Sequence, residues 1–281
     1  MVIKNTFYYI AKYITISVIL IFGFSNCDLE KEVDLDLPTY ENQLVVECYL
    51  EIGQPFVAII SESVDFFAEP GLPFISGATV TITHQGEIYT LDEGIYSDST
   101  GAQLYNYGSS SICPANYEED FTILVSDGNG RIASATTQIL KPILIDTLEM
   151  VWMPDDSTKA LVFTRFQDPA SEENFYRRMF QSGGNIGEGK NEQDFTTTDN
   201  FATSDNEIVY GTGFDFMKGD TVISTLFHID QAYYDFKESV QSAINSNGNP
   251  FGQPSVIKSN IEGGIGIFTG LSYDRKMLII E

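Results

Sequence analysis

Histidine is nearly absent from this chain of 281 residues, which holds only His84 and His228, and cysteine is scarce at three. Zinc and copper sites recruit several His or Cys ligands together, so no metal centre of that kind is expected. A serine triad needs a histidine beside a nucleophile on a strained turn, and no G-x-S-x-G occurs. Basic residues are few as well: 15 Lys and Arg stand against 40 Asp and Glu, a formal charge of −25. A surface of that sign repels a phosphate backbone, which excludes nucleic acid as a partner. Long apolar runs are missing too. The greasiest stretch, Ile14 to Phe22, falls short of the ~20 residues a spanning helix needs.

That stretch has a different use. Lys4 and Lys12 are the only charges in the first 26 residues, and they precede it, the layout of an export signal. Small or polar residues, Gly23, Ser25 and Asn26, then lead to Cys27. A cysteine so placed resembles a bacterial lipobox, in which the thiol is diacylated and the signal is cut before it; Asn26 stands where Gly or Ala is usual. A plain secretory signal is the other reading. Asp28, Glu30, Glu32, Asp34 and Asp36 follow at once, and such acids resemble the surface-export signal of Bacteroidota lipoproteins. The expected organisation is a lipoprotein signal peptide over 1–26 and an acidic flexible tether over 27–41. Several acyl chains on Cys27 would hold the protein durably on the outer membrane, exposed at the cell surface. Losing the leader removes two lysines and no acid, so the mature chain is more acidic still.

With Cys27 lipidated, Cys48 and Cys113 remain. A disulfide between them would close a loop of about 65 residues, worth ~4 kcal/mol in the chain-entropy model. Two buried free thiols are the alternative.

From Leu44 the pattern has period two. "QLVVECYLE" and "PFVAIISES" read as strands, and "GATVTITHQGEIYTL" as a hairpin with Val80 and Ile82 on one face and Thr79, Thr81 and Thr83 on the other. "EDFTILVSDGNGRIASATTQIL" is a second hairpin, turning at Asp127-Gly128-Asn129-Gly130. The fold class is mostly β: an N-terminal immunoglobulin-like β-sandwich over 42–140, then a second β-rich, sandwich-like domain over 141–281. Pro142 marks the boundary. In the second part "KALVFTRFQD", "NFYRRMFQS", "DTVISTLFHID", "GIGIFTGLS" and "RKMLIIE" read as strands, and the polar, Gly-rich stretch from Ser182 to Gly211 as a long loop. One helix is predicted near 230–246, capped by Asp230, carrying Tyr233, Phe236, Val240 and Ile244 as a packing stripe and stopped by Asn247-Gly248.

Other chemistry finds little support in spacing. Asp127-Gly128-Asn129 and Asp155-Asp156 offer oxygen ligands without calcium-loop spacing and read better as turns. Gly263, Gly264, Gly266 and Gly270 in "NIEGGIGIFTG" do not form G-x-G-x-x-G, so they are read as sites of close backbone approach or a bulge. No spacing singles out a pair of catalytic carboxylates. Neither an enzyme nor a cofactor is expected.

"NQLVVECYL", "SGATVTIT", "PILIDTLEM", "FQDPASEENFYRRMF" and "SNIEGGIGIFTG", together with the acidic start, resemble the Bacteroidota outer-membrane lipoproteins of domain of unknown function 4249. The most specific parts are Asp168-Pro169 with Asn174-Phe175-Tyr176-Arg177, and Asn260-Ile261-Glu262-Gly263-Gly264. Members are commonly encoded beside TonB-dependent receptors, so the resemblance implies a non-enzymatic accessory or ligand-gathering partner of such a transporter. A cell-surface adhesion or structural lipoprotein is the alternative. Arg177 and Arg178 are rare cations here, and a structural ion pair of Arg177 with Asp168, or with Glu173, is expected to fix local geometry.

Overall fold

The computed structural model describes residues 41–64, 71, 73–97, 103–169, 172–183, 190–246 and 256–281. The expected signal peptide, Cys27 and the expected tether up to residue 40 lie outside them. Asn42–Glu281 form one compact unit. No helix among the described residues is long and apolar enough to cross a membrane.

Alternation in the sequence becomes alternation in burial. Strand β1 (Leu44–Glu51) turns Leu44, Val46, Cys48 and Leu50 inward. It pairs with β2 (Pro55–Glu62), which pairs with β5 (Leu104–Ile112). Facing them, β3 (Thr79–His84) buries Val80 and Ile82, β6 (Asp120–Ser126) buries Phe121, Ile123 and Val125, and β7 (Ile132–Gln138) buries Ala133 and Ala135. All of these side chains meet in one core, the sandwich expected from the sequence. β4 (Glu87–Ser97) belongs to both layers: Glu87–Leu91 pair with β3, and residues from Asp92 on pair with β5. A register shift between Glu93 and Tyr96 lets the strand turn that corner. The β3–β4 turn places Gln85 and Gly86 at φ of 48° and 82°, the double positive φ that suits a two-residue hairpin.

The second part is built around the last strand. "GIGIFTGLS" and "RKMLIIE", read as separate strands, are one continuous β15 (Gly264–Ile279). Its first half runs parallel to β1, from Leu44↔Gly264 to Glu51↔Leu271. The second half is antiparallel to β14 (Thr221–Ile229), which continues to β10 (Phe175–Ser182) and β11 (Lys190–Thr198). The end of the chain is thus stitched to its beginning, and the expected junction at 140/141 lies inside the compact unit. A smaller sheet of β8 (Thr147–Met153), β9 (Asp156–Gln167), β12 (Glu207–Gly211) and β13 (Phe216–Met217) covers one face of β10 and β14. Helix α1 (Gln231–Ser246) covers the other.

Two expectations change. The stretch read as a long loop contains β11, a polar terminal strand, and β12, whose Ile208 and Tyr210 are buried in the core. The helix stripe runs through Tyr233 and Phe236 to Val240, but Ile244 is 61 % exposed. Ser239 is buried instead, since its hydroxyl accepts the Lys258 N–H at 2.9 Å and so turns that face toward the neighbouring chain. Asn247 and Gly248 lie outside the described residues.

Candidate functional site

The segment Asn260–Gly264 leads into β15, and its first residue lines an open groove. Asn260 folds its amide onto the following strand: Nδ2 donates to the Phe268 carbonyl at 2.7 Å, and Oδ1 accepts the Phe268 N–H at 3.0 Å. Two residues later Glu262 exchanges both main-chain hydrogen bonds with Ser134 of β7, at 2.8 and 2.9 Å. Gly263 and Gly266 sit at φ of 75° and 122°, where a Cβ would come within 2.2 Å of the Ile132 carbonyl oxygen and 2.0 Å of that of Val46. Close backbone approach, the role read for these glycines, is what the packing demands.

Because Asn260 is held by β15, the chain before it stands away from β7. Between them lies an open groove of about 810 Å³, with Thr136 and Gln138 on one wall, Asp230 and Asp235 of the α1 end on the other, and Lys258 and Asn260 alongside. Asp230 holds the corner together. Its Oδ1 accepts the Tyr233 N–H at 2.7 Å, the expected N-cap, while Oδ2 accepts the hydroxyls of Thr137 at 3.0 Å and Thr269 at 3.1 Å. Lys258 Nζ meets Asp235 at 2.8 Å. The apolar Leu140 and Ala232 share the lining of this open groove with hydroxyls, amides and the two carboxylates. The NIEGG segment was visible in the sequence; that it would bridge to β7 was not, since nothing local names its partner.

Arg177 is paired, though with a different acid. Its Nε and Nη2 both reach the Asp194 carboxylate at 2.7 Å, and Nη1 donates to the Tyr233 hydroxyl at 3.1 Å. Burial alone would lower the Arg177 pKa, but Asp194 outweighs it and drives the value up. For Asp194 burial pulls upward, yet the hydrogen bonds and charge of Arg177 hold the carboxyl below its ordinary range. Asp168, the expected partner, instead accepts the Tyr176 hydroxyl at 2.5 Å. The reason is register: residues 177 and 194 are diagonal neighbours on one face of the β10–β11 pair, while Tyr176, which reaches Asp168, points to the other face. Glu173 makes no ion pair with Arg177 among the described residues.

The rest of the Asp168–Arg177 segment is a clamp. Asn174 Nδ2 donates to the carbonyls of Pro169 and Glu172, both at 3.0 Å, and its Oδ1 faces His228 Nε2 at 3.1 Å. His228 Nδ1 lies 2.8 Å from the Lys141 carbonyl oxygen. His84 is 3 % exposed and stacked on Phe121 at 3.9 Å, with Nε2 left unpartnered 3.6 Å from the Glu119 carboxylate. Asp127 caps its own turn by accepting the Asn129 and Arg131 N–H groups and pairing with Arg131 Nε at 2.6 Å. Among the described residues, no three His, Cys, Asp or Glu side chains gather as metal ligands. Cys48 and Cys113 are free thiols buried in the same core, and desolvation pushes Cys113 up to about 12 and Cys48 higher still.

Residues 30–277 match the family described as Domain of unknown function (DUF4249). No curated protein matches the chain. Among solved structures, a chain titled "Cytokine receptor complex - Crystal form 1A" is 11 % identical, with 84 % of this chain and 96 % of that one covered at a TM-score of 0.28. Dimeric latent PorU from Porphyromonas gingivalis is 11 % identical, with 68 % of this chain and 19 % of that one covered at a TM-score of 0.21. Neither likeness is close enough to carry an argument about fold or function.

Proposed function

The chain belongs to the DUF4249 family, and from that premise we propose that it is a surface-exposed, lipid-anchored outer-membrane protein serving, without catalysis of its own, as accessory to a TonB-dependent transporter. The observation that carries this reading is the order of the N-terminal residues: an apolar run from Ile14 to Phe22, then Cys27, then five acids by Asp36. An acylated cysteine confines the chain to a membrane surface, which raises its effective concentration toward a membrane-embedded partner. Weak contacts then suffice, and an open groove such as the one beside β7 suits them.

The test is purification from the native membrane in mild detergent. A barrel-sized partner should co-elute and be lost with Cys27→Ser, whose thiol can no longer be acylated. A protein that elutes alone, with its fatty acids present by mass spectrometry, would overturn the transporter role and favour adhesion. A bare Cys27 would overturn the anchor itself.

A further inference from the structure

We propose that His228 is a pH-sensitive latch: its ring carries a proton on each nitrogen, and losing one of them as pH rises releases Asn174 from β14. The inference does not depend on the transporter reading. An imidazole nitrogen either donates a hydrogen bond or accepts one, and a neutral ring does one of each. Both nitrogens of His228 face acceptors. Nδ1 lies 2.8 Å from the Lys141 carbonyl oxygen, which can only accept. Nε2 lies 3.1 Å from Asn174 Oδ1. That amide is not free to turn over, because its Nδ2 donates to the carbonyls of Pro169 and Glu172, both at 3.0 Å. Reversed, it would set Oδ1 against those two oxygens. Two acceptors ask for two protons, and only the charged ring has them. A neutral ring would turn a lone pair toward Oδ1 of a residue that is 3 % exposed, leaving a buried acceptor without its donor.

The groups around the ring suit a cation. On β10, Tyr176 is its cross-strand partner, stacked on it at 5.7 Å, and donates its hydroxyl to Asp168. Asp199 accepts the Asn174 N–H at 2.9 Å, and Glu172 and Glu173 directly precede Asn174. On β15, Ser272 is the cross-strand partner, and Asp274, two residues on, accepts the Ile145 N–H at 2.8 Å. The neighbouring cations are turned elsewhere, Lys141 to Glu118 and Arg178 to the Gly211 carbonyl. One ring therefore ties the chain that leaves the first sandwich, at Lys141, to the chain that enters β10, at Asn174. The charged ring belongs to the folded state, so the tie is complete in mild acid and is lost as pH rises. This is opposite in sign to a carboxylate pair, which is lost as pH falls.

The test is nuclear magnetic resonance of the full chain with nitrogen-15-labelled histidine, the His228 ring being assigned through its contact with Tyr176. At pH 7.5 an ordinary histidine, with a pKa of ~6.5, is about nine-tenths neutral and shows one pyridine-type nitrogen. His228 should show none at that pH. A pyridine-type signal from either of its nitrogens would overturn the latch. Asn174→Ala takes away one of the two acceptors and should bring that signal back; a ring that stays doubly protonated in this variant would overturn the role given to Asn174. Thermal unfolding supplies a second readout. The gap between wild type and His228→Gln should be wider at pH 6 than at pH 9 by about 3 °C or more, and equal gaps would overturn the proposal. If either variant does not fold by circular dichroism, the wild-type spectrum decides alone.

Discussion

Arg177 has a chemical partner that lies 17 positions away along the chain, and its environment decides what that pair is worth. The two side chains are 16 % and 27 % exposed, and the contact is bidentate. A planar, partly desolvated pair of this kind is stronger than a surface ion pair, and removing one member strands the other. Arg177→Ala combined with Asp194→Ala should therefore show a coupling of about 1–3 kcal/mol in urea unfolding, while Arg177→Ala with Asp168→Ala should couple by less than about 0.5 kcal/mol. Equal couplings would mean that Asp168 is the partner after all. The pH dependence has a definite sign. The Asp194 carboxyl is held below its ordinary value, so its contribution is present above the unfolded value of about 3.9 and is lost as pH falls through the folded value. The gap between wild type and Asp194→Asn should be open at pH 7 and close in acid. A cation so rare in this chain was legible as structural from composition alone. Its partner was not, because a strand pair brings together residues that sequence distance keeps apart.

At the scale of elements, legibility followed exposure. β1, β3 and β6 each have one face in the core and one less buried, so burial is written as alternation and could be read directly. β14 is covered on both faces, and six successive residues, Val222 to Phe227, are buried, which leaves a strand without a periodic pattern. β11 is the terminal strand of its sheet, and its "KNEQDFTTT" looks like a loop. The glycines of β15 show the opposite case, in which composition was informative before the fold was known. Gly266 combines a positive φ with a carbonyl oxygen 2.0 Å from where a Cβ would stand, on a strand locked to β1 by pairing along eight residues. Neither neighbour can withdraw without breaking that ladder. Gly266→Ala should cost more than about 3 kcal/mol or prevent folding. Gly128→Ala, at a turn with nothing within 4 Å, should change stability by less than about 0.5 kcal/mol. Thermal unfolding of the two variants side by side checks this, and comparable melting temperatures would mean that β15 does not run so close to β1.

For the molecule as a whole, the decisive contact joins its two ends. A sequence pattern shows where strands are but not which ones pair across 220 residues, as Leu44 and Gly264 do, so residues 42–140 looked like a domain in their own right. In the fold they are a sandwich missing a side. Phe268 and Ile261 belong to its core, Glu262 closes part of the β7 edge, and β15 is the neighbour of β1 on the side away from β2. Without them β1 presents a bare edge with apolar side chains, the kind of edge that invites aggregation. Residues 42–140 expressed alone should accordingly be insoluble, or collapsed without sharp side-chain signals by NMR. Residues 42–281 should unfold in a single cooperative transition, with tyrosine fluorescence and far-ultraviolet circular dichroism coinciding. Two separated transitions, or a well-dispersed NMR spectrum from 42–140 alone, would mean that the first sandwich completes its core without the last strand. Adding residues 256–281 as a separate peptide should then restore nothing; if the pairing of β15 with β1 is what completes the core, the same peptide should recover soluble, dispersed protein from the fragment.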